Sequence, residues 1–355
     1  MGVNEVDVVV IGAGQGGLSA AYFLRRFGLS FVVLDAAQSA GGAWQFRSPS
    51  LTMRKVHGIF DLPGYRFTRS PDDESLPAAE VVPAYFAAYE EQNALDVRRP
   101  VEVTSVEDLP DGRLLVSAGE ATWVARAIVN ATGTWSRPYW PFYPGMGEFR
   151  GEQLHSAAYR GPSAYAGKNV IVVGGGNSAT HVLSEVADVA ASATWVTRRE
   201  PVFVTTEFTE DYGRMVIARV EERVRNGLPP QSVVSVTGLG YTEVVREALA
   251  NGSLHRLPMF ARLTASGAVW ADGSFRPVDV VIWATGFRAA LSHLGPLRLR
   301  EPGGGIRMDG TRAALDERIH LVGYGPSAST VGANRAGRAA ARELAELLER
   351  ERSAA

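Results

Sequence analysis

The chain has 355 residues, 46% hydrophobic and 21% charged, a composition that suits about two soluble domains of roughly 150 residues each. A formal net charge of −2 provides no broad positive field, so neither nucleic acid nor an acidic membrane is an expected partner. With no cysteine, disulfides, thiolate metal sites, iron–sulfur clusters, cysteine nucleophiles and dithiol relays are all excluded.

The first run, Asp7 to Ile11, is a β-branched strand reached within a few residues, with no basic stretch before it. No secretory leader is therefore expected, and no window of about 20 apolar residues predicts a membrane span. The default expectation is a cytoplasmic protein. Lys55 and Lys168 are the only lysines, so almost all positive charge is arginine.

That strand enters a glycine cluster, Gly12-Ala-Gly14-Gln-Gly-Gly17, as a parallel strand buried on both faces does. A helix follows over Leu18–Phe27 with Gly28 as its stop, and a second strand, Ser30–Leu34, ends at Asp35. The spacing G-x-G-x-x-G then assigns each glycine a task. Gly12 permits the tight turn, Gly14 lets backbone approach a pyrophosphate, and Gly17 lets helix and strand pack closely. Asp35 stands where a carboxylate accepts the ribose hydroxyls.

Pro100 to Asn130 alternates in short runs around the turn Asp111-Gly112 and predicts an antiparallel meander that includes Val101–Val103. The Pro/Gly/aromatic stretch Trp135–Gly151 reads as a connection.

A second copy of the opening follows: Asn169–Val173, then Gly174-Gly-Gly176-Asn177-Ser178-Ala179, a helix over Ser178–Ala190, and a strand over Ala193–Thr197. This strand ends in Arg198-Arg199 rather than an acid. A carboxylate there would repel a 2′-phosphate, whereas a guanidinium offers it a planar fork, so NADPH is expected over NADH. Glu207–Arg225 is helical in charge pattern, and the chain closes with a strand over Ile319–Val322, the turn Gly323-Tyr-Gly325 and a helix over Gly332–Arg350. The first opening by itself does not separate FAD from NAD; the second opening makes paired redox chemistry the better reading.

Taken together these residues resemble the flavin-containing monooxygenases, in a compact bacterial form. The resemblance rests on the two nucleotide motifs in this order and on Gly41-Gly42-Ala43-Trp44. It rests also on the stretch Phe149 to Tyr159 with His155 at its centre, which fits F-x-G-x-x-x-H-x-x-x-[FYW], and on the segments Ala131-Thr132-Gly133 and Ala284-Thr285-Gly286-Phe287. The fingerprint ends in Tyr159-Arg160, nearer the amine- and sulfide-oxygenating branch than the Baeyer–Villiger branch, and Ser50–Gly58 holds no asparagine.

The resemblance implies two doubly wound Rossmann-like α/β domains, the second inserted into the first. FAD would occupy residues 1–154 plus 287–355, and NADPH residues 155–286 with a helical insertion near 203–262. It implies that hydride passes from NADPH to FAD, that O2 adds to give a C4a-(hydro)peroxyflavin, and that one oxygen is transferred to a small sulfide, amine or ketone. FAD would be held by Gly12, Gly14, Gly17, Asp35, Gly42, Trp44, Ala131, Thr132 and Gly133. Gly323, Gly325 and Ser327 would present N–H groups to the flavin edge. NADPH would be held by Gly174, Gly176, Asn177, Ser178, Ala179, Arg198 and Arg199, with Thr285 and Gly286 between the sites. His155, whose ordinary pKa suits neutral pH, is a candidate acid–base group, with a structural histidine as the competing reading. His57, beside Arg54 and Lys55, is a candidate polar contact near the flavin.

The six histidines make no paired ligand spacing, so no metal is expected, and G-x-S-x-G is absent. Two other readings stay open. One is an NADPH-dependent flavin reductase or oxidase that passes electrons to O2, quinone or ferredoxin. The other is a non-catalytic FAD-binding redox sensor. A homodimer is compatible with the sequence but not argued by it.

Overall fold

The computed structural model describes residues 4–56, 59–204, 210–231 and 238–354. Its centre is β1 (Asn4–Ile11), the β-branched run, in a nine-stranded sheet. β2 (Phe31–Leu34) and β3 (Val97–Arg98) lie on one side of it. β6 (Ala121–Asn130), β19 (Asp316–Leu321), β18 (Arg312–Ala313) and β17 (Met308–Asp309) follow on the other. Side chains alternate across the strand, so Val8 and Val10 enter one hydrophobic cluster and Val9 and Ile11 another. Each such buried aliphatic is worth about 1.5–3 kcal/mol.

α1 (Gln15–Arg26) packs on the first face beside the closing helix α6 (Thr330–Ala354), joining Leu18 and Leu24 to Leu344 and Leu348. α2 (Ala78–Gln92) adds Val82, Phe86 and Tyr89 to the same cluster. The meander is present as β4 (Ser105–Asp108) and β5 (Leu114–Ala118) leading into β6, with Gly112 at φ +82° in the turn. Val101–Val103, expected as its first strand, is unpaired. The Val101 amide instead donates to the Asp35 carbonyl at 2.8 Å, which holds this stretch against the end of β2.

The second sheet has five strands, all parallel. β8 (Asn169–Val173) pairs with β9 (Ser192–Thr197) on one side and β16 (Val280–Trp283) on the other. β7 (Glu152–His155) lies beyond β16, and β12 (Arg256–Pro258) beyond β9. Val170 and Val172 face a cluster with α3 (Asn177–Val186), while Ile171 and Val173 face Phe260, Trp270 and Trp283. α3 ends earlier than its sequence pattern suggests, and the chain then turns through Ala187–Ala191 into β9.

Between β9 and β12 lie β10 (Phe203–Val204), α4 (Glu210–Arg225), β11 (Leu239–Gly240) and α5 (Glu243–Ala250). β13 (Arg262–Thr264), β14 (Gly267–Val269) and β15 (Phe275–Pro277) form a small antiparallel sheet.

Two mostly parallel sheets carrying helices make the doubly wound α/β architecture expected from the sequence. In each, the strand order reverses beside the first strand, between β1 and β6 and between β8 and β16. Ligands of such sheets bind at the carboxyl ends of the strands flanking that reversal. Among the described residues no helix is long and apolar enough to cross a membrane.

Candidate functional site: two glycine-loop clefts that meet

Register aligns the ends of the key strands. Ile11, Leu34, Asn130 and Leu321 lie abreast in the large sheet, and Val173, Val196, Trp283 and His155 in the smaller one. The loops that follow these ends form the site.

At the first glycine loop, Gly12 has φ +99°, and a Cβ there would lie 2.6 Å from the Ala131 carbonyl. A Cβ on Gly17 would lie 1.9 Å from the Gly12 carbonyl, whereas one on Gly14 would meet nothing within 4 Å. Two glycines are thus spent on packing, and the middle one keeps its face open. α1 begins at Gly14 with no side-chain cap and no acidic residue in its first turn. Its free N–H groups and positive dipole end face a cavity of about 890 Å3, which Gly12, Gly14, Asp35, Gly42, Trp44, Ala131, Thr132 and Gly133 all help to line.

Asp35 is 7% exposed. Its carboxylate accepts the Ala13 amide at 2.5 Å and the Ala37 amide at 2.8 Å, and Arg99 Nε stands 3.8 Å away. Arg99 itself forks onto Glu90 at 2.6 and 2.7 Å. Gln15, on the same cavity wall, leaves its buried Oε1 without a donor. These features fit a dinucleotide: an uncapped helix start for phosphate, a carboxylate at the next strand end for ribose, and an acceptor held open.

The second loop repeats the arrangement. A Cβ on Gly174 would strike the Ala284 carbonyl at 2.2 Å, one on Gly176 would meet nothing within 4 Å, and Ala179 is fully buried. α3 also starts at a glycine with neither cap nor acid. Asn177 and Ser178 line a second cavity of about 450 Å3. Arg198 and Arg199 are exposed past the end of β9, and neither has an ion-pair partner among the described residues. The two cavities share Trp44, Arg47, Trp135, Ser178, Phe287, Ala328 and Ser329, so they meet along one wall.

Other sequence candidates are placed differently. Both ring nitrogens of His155 are used by backbone. Nδ1 accepts the Ala157 amide at 3.1 Å, so Nε2 carries the proton and donates to the Gly286 carbonyl at 3.0 Å. Burial lowers its pKa, offset in part by that bond to Gly286. It lines neither cavity and clamps β7 to the strand-end loop after β16, a placement that supports the structural reading over the acid–base one. His57 lies outside the described residues.

Thr285 and Gly286 also turn away from the cavities. The Thr285 hydroxyl donates to the Tyr139 carbonyl at 2.5 Å, and the Gly286 carbonyl accepts the Tyr139 amide at 2.9 Å, fastening the Trp135–Gly151 connection. Gly323 and Ser327 do line the larger cavity. However, Ser327 Oγ accepts the amides of Gly323 and Tyr324 at 3.0 and 3.1 Å, so these N–H groups are not offered outward. Gly325 packs on Val224, where a Cβ would approach to 2.9 Å.

Three groups escaped the sequence reading. The first is a buried polar chain. His293 Nε2 lies 2.7 Å from Asn130 Oδ1, Asn130 Nδ2 donates to Thr132 Oγ1 at 3.1 Å, and Thr132 donates to the Ala290 carbonyl at 2.7 Å. The second is Glu185, which accepts from Ser50 at 2.7 Å and Tyr159 at 2.9 Å and pairs with Lys55 at 3.4 Å. Burial would raise its pKa, but His181, Ser50 and Tyr159 outweigh that and hold it at about 2. The third is Arg47. Local spacing signals none of these, because the partners that complete each group, His293 for Asn130, Ser50, Lys55 and Tyr159 for Glu185 and Trp135 for Arg47, come from distant segments.

The fold and its paired glycine-loop clefts define an oxidoreductase. Residues 9–254 match the model of the pyridine nucleotide-disulphide oxidoreductase family. A flavin-containing monooxygenase from Stenotrophomonas maltophilia is 41% identical, superposes with a TM-score of 0.83, and matches over 98% of this chain and 100% of its own. The uncharacterized oxidoreductase CzcO of Bacillus velezensis is 31% identical over 181 residues, 51% of this chain and 52% of that protein. The chain thus spans about half the length of that relative. The indole-3-pyruvate monooxygenase YUCCA1 of Oryza sativa subsp. japonica is 26% identical over 79% of this chain and 76% of its own. The chain belongs to this oxidoreductase family and, within it, to the flavin monooxygenases. Having no cysteine, it lacks the dithiol of the family's disulphide-reducing members.

Proposed function

We propose that the protein is an FAD- and NADPH-dependent monooxygenase acting on a small molecule with O2. The observation that carries this reading is the shared wall: two glycine-loop clefts with uncapped helix starts open into one another across Trp44, Arg47, Trp135, Ser178 and Phe287. The sequence bounds, 1–154 plus 287–355 for the FAD part and 155–286 for the NADPH part, would shift so that all of β7 (Glu152–His155) falls with the NADPH part, and the insertion near 203–262 would end before β12, a strand of that sheet.

Bound there, the flavin and the nicotinamide would supply hydride transfer and O2 activation, the chemistry by which one oxygen atom would enter substrate and the other leave as water. The chain's own contribution is placement and exclusion of water. The N–H groups at Gly14 and Gly176 hold phosphate oxygens. Asp35, already fixed by Ala13 and Ala37, accepts ribose hydroxyls with its remaining lone pairs. Arg198 and Arg199, unpaired and exposed, select the 2′-phosphate. Trp44, Trp135 and Phe287 give the junction apolar walls, with Trp135 and Phe287 stacked at 4.9 Å. His155 keeps the wall in place by holding the Gly286 loop and moves no proton.

The test is NADPH consumption by the flavin-loaded protein, with and without a panel of sulfides, amines and cyclic ketones, alongside H2O2 release. Consumption coupled to oxygenated product supports the reading. Consumption yielding only H2O2 or a reduced acceptor replaces it with the reductase, and no consumption leaves the redox sensor.

A further inference from the structure

Among the described residues, Arg47 is the cation that lines both cavities, and no carboxylate pairs with it. It lies three residues beyond Trp44 and lines both cavities. Its guanidinium rests against Trp135, 4.4 Å from the ring centroid, and against Trp44 at 5.6 Å. Its Nε is buried with no hydrogen-bond partner. Among the described residues no carboxylate lies within 4 Å of it, and no side-chain hydrogen bond of any kind reaches it. The contrast with its neighbours is plain. Lys55 is held by Glu185 and Glu247, Arg54 by Glu243, and Arg99 by Glu90.

A buried Nε–H left unpaired is costly, and stacking on two indoles offsets only part of that cost. The smaller cavity also contains no aspartate or glutamate among its lining residues, although Arg47 and Lys55 both belong to it. Glu185 and Glu247 already balance Lys55, so Arg47 carries the uncompensated charge facing that cavity. Ser48 and Thr180 spend their hydroxyls on Ser50 and on the Asn177 carbonyl, which leaves the Ser156 hydroxyl as a second donor on the lining. Coenzyme phosphates have their own seats at the starts of α1 and α3. The junction, walled by Trp44, Trp135 and Phe287, is left to the reacting rings and to the compound being oxidised.

We propose that Arg47 is a specificity-determining residue that receives the carboxylate of an anionic substrate, so that the favoured compounds join a soft oxidisable centre to an acid group. This rests on the monooxygenase reading above. Arg47 forms a planar fork held between two rings, the geometry that takes a carboxylate in two parallel N–H bonds.

The experiment uses the flavin-loaded protein and two isosteric thioethers, 4-(methylthio)benzoate and 4-(methylthio)benzamide. Binding is read by titration calorimetry and turnover by sulfoxide formation. The native protein is expected to bind the acid about 10- to 100-fold more tightly than the amide, the range of a charge-assisted hydrogen-bonded pair. Arg47→Gln abolishes that preference while leaving the amide and the KM for NADPH within about twofold. Arg47→Lys keeps the charge without the fork and retains part of the preference; it also serves as the measured variant if Arg47→Gln does not fold.

An acid-to-amide ratio unchanged by either substitution overturns the proposal. So does a change confined to the KM for NADPH or to flavin retention, which would make Arg47 a coenzyme residue. Carboxylate binding that depends on Arg47 without any sulfoxide supports the anion site while removing the monooxygenase reading, so the two failures are told apart.

Discussion

The amide of Ala13, inside the first glycine loop, donates to the Asp35 carboxylate at the end of the neighbouring strand, at 2.5 Å. One short bond therefore ties the phosphate-facing loop to the ribose-facing acid before any nucleotide arrives. Ala37 fills the other carboxylate oxygen at 2.8 Å, and Arg99 stands behind it. The acid is preorganised, and little ordering remains to be done on binding.

It follows that Asp35→Asn should cost flavin affinity in addition to some stability. An amide offers one acceptor oxygen and turns its NH2 toward either Ala13 or Ala37, donor against donor. The expected loss is about 10- to 100-fold in FAD affinity, from about 1.5–3 kcal/mol for a hydrogen bond to a charged group. The same clash leaves an internal N–H unpaired, so the empty fold also loses about 1–3 kcal/mol and the melting temperature falls. Flavin released on gel filtration, followed by fluorescence, measures the first quantity; a variant retaining FAD like the native protein speaks against the ribose assignment.

The two outer demands on the glycine loop separate cleanly by substitution. Gly17→Ala places a methyl 1.9 Å from the Gly12 carbonyl and 3.3 Å from the Ala131 side chain, so helix and strand are forced apart. Destabilisation of about 1–3 kcal/mol or more is expected, as for overpacking. Gly14→Ala meets only open space. It should melt like the native protein yet lose flavin, because the methyl enters the volume proposed for phosphate. Equal melting temperatures for the two variants would contradict this division of labour.

Arg198 and Arg199 invite a coenzyme comparison. Both are exposed and free of carboxylates among the described residues, so removing them breaks nothing internal. The double change to Gln and Ser is expected to raise the KM for NADPH about 10- to 100-fold and leave that for NADH nearly constant, since only the former carries a 2′-phosphate. Steady-state kinetics with both coenzymes decides it, and an unaltered ratio of the two KM values removes the arginines from the site.

What the sequence made readable follows the reach of each interaction. β1, β8 and their glycine turns are local: strand period, turn conformation and helix start all lie within about 15 residues, and the two copies corroborate one another. The reversal of strand order follows from that pattern through general rules of doubly wound sheets. Val101–Val103 misled because its alternation matches a strand, while its backbone is claimed by Asp35 across the fold. Ser327 reads as a donor-rich turn, yet its hydroxyl consumes the amides it was expected to offer. Arg47 was hidden for a different reason. In a chain whose positive charge is almost all arginine, one unpaired guanidinium has no signature until its surroundings are seen to hold no acid. Asn130, Thr132 and His293 are joined only by folding, over 163 residues of sequence in the longest step.

That last network sets an acid limit on stability. His293 is 6% exposed, and burial lowers its pKa from the usual 6.5 to about 4. The folded protein thus keeps the ring neutral where the unfolded chain would protonate it. Between pH 6.5 and 4 the unfolded chain binds the extra proton, so the contribution of this group is complete above pH 6.5 and declines as pH falls through the window, by up to about 3 kcal/mol. His320, lowered to about 3 by burial and by Arg312, pulls the same way and extends the decline. Glu185, held at about 2, adds a loss that begins only below its unfolded value of 4.5. From pH 6 to 5 the two histidines lower stability as pH falls, while Glu343, whose pKa burial raises, acts in the opposite sense in both native protein and variant. His293→Gln keeps a donor for Asn130 Oδ1 but cannot titrate, so it should reduce the slope of unfolding free energy against pH there by close to one proton, about 1.4 kcal/mol per pH unit. Urea unfolding of the native protein and the variant at half-unit pH steps reads that slope. Parallel curves for the two proteins would mean that His293 keeps an ordinary pKa in the fold and that its neutral form does not hold the Asn130–Thr132 chain together.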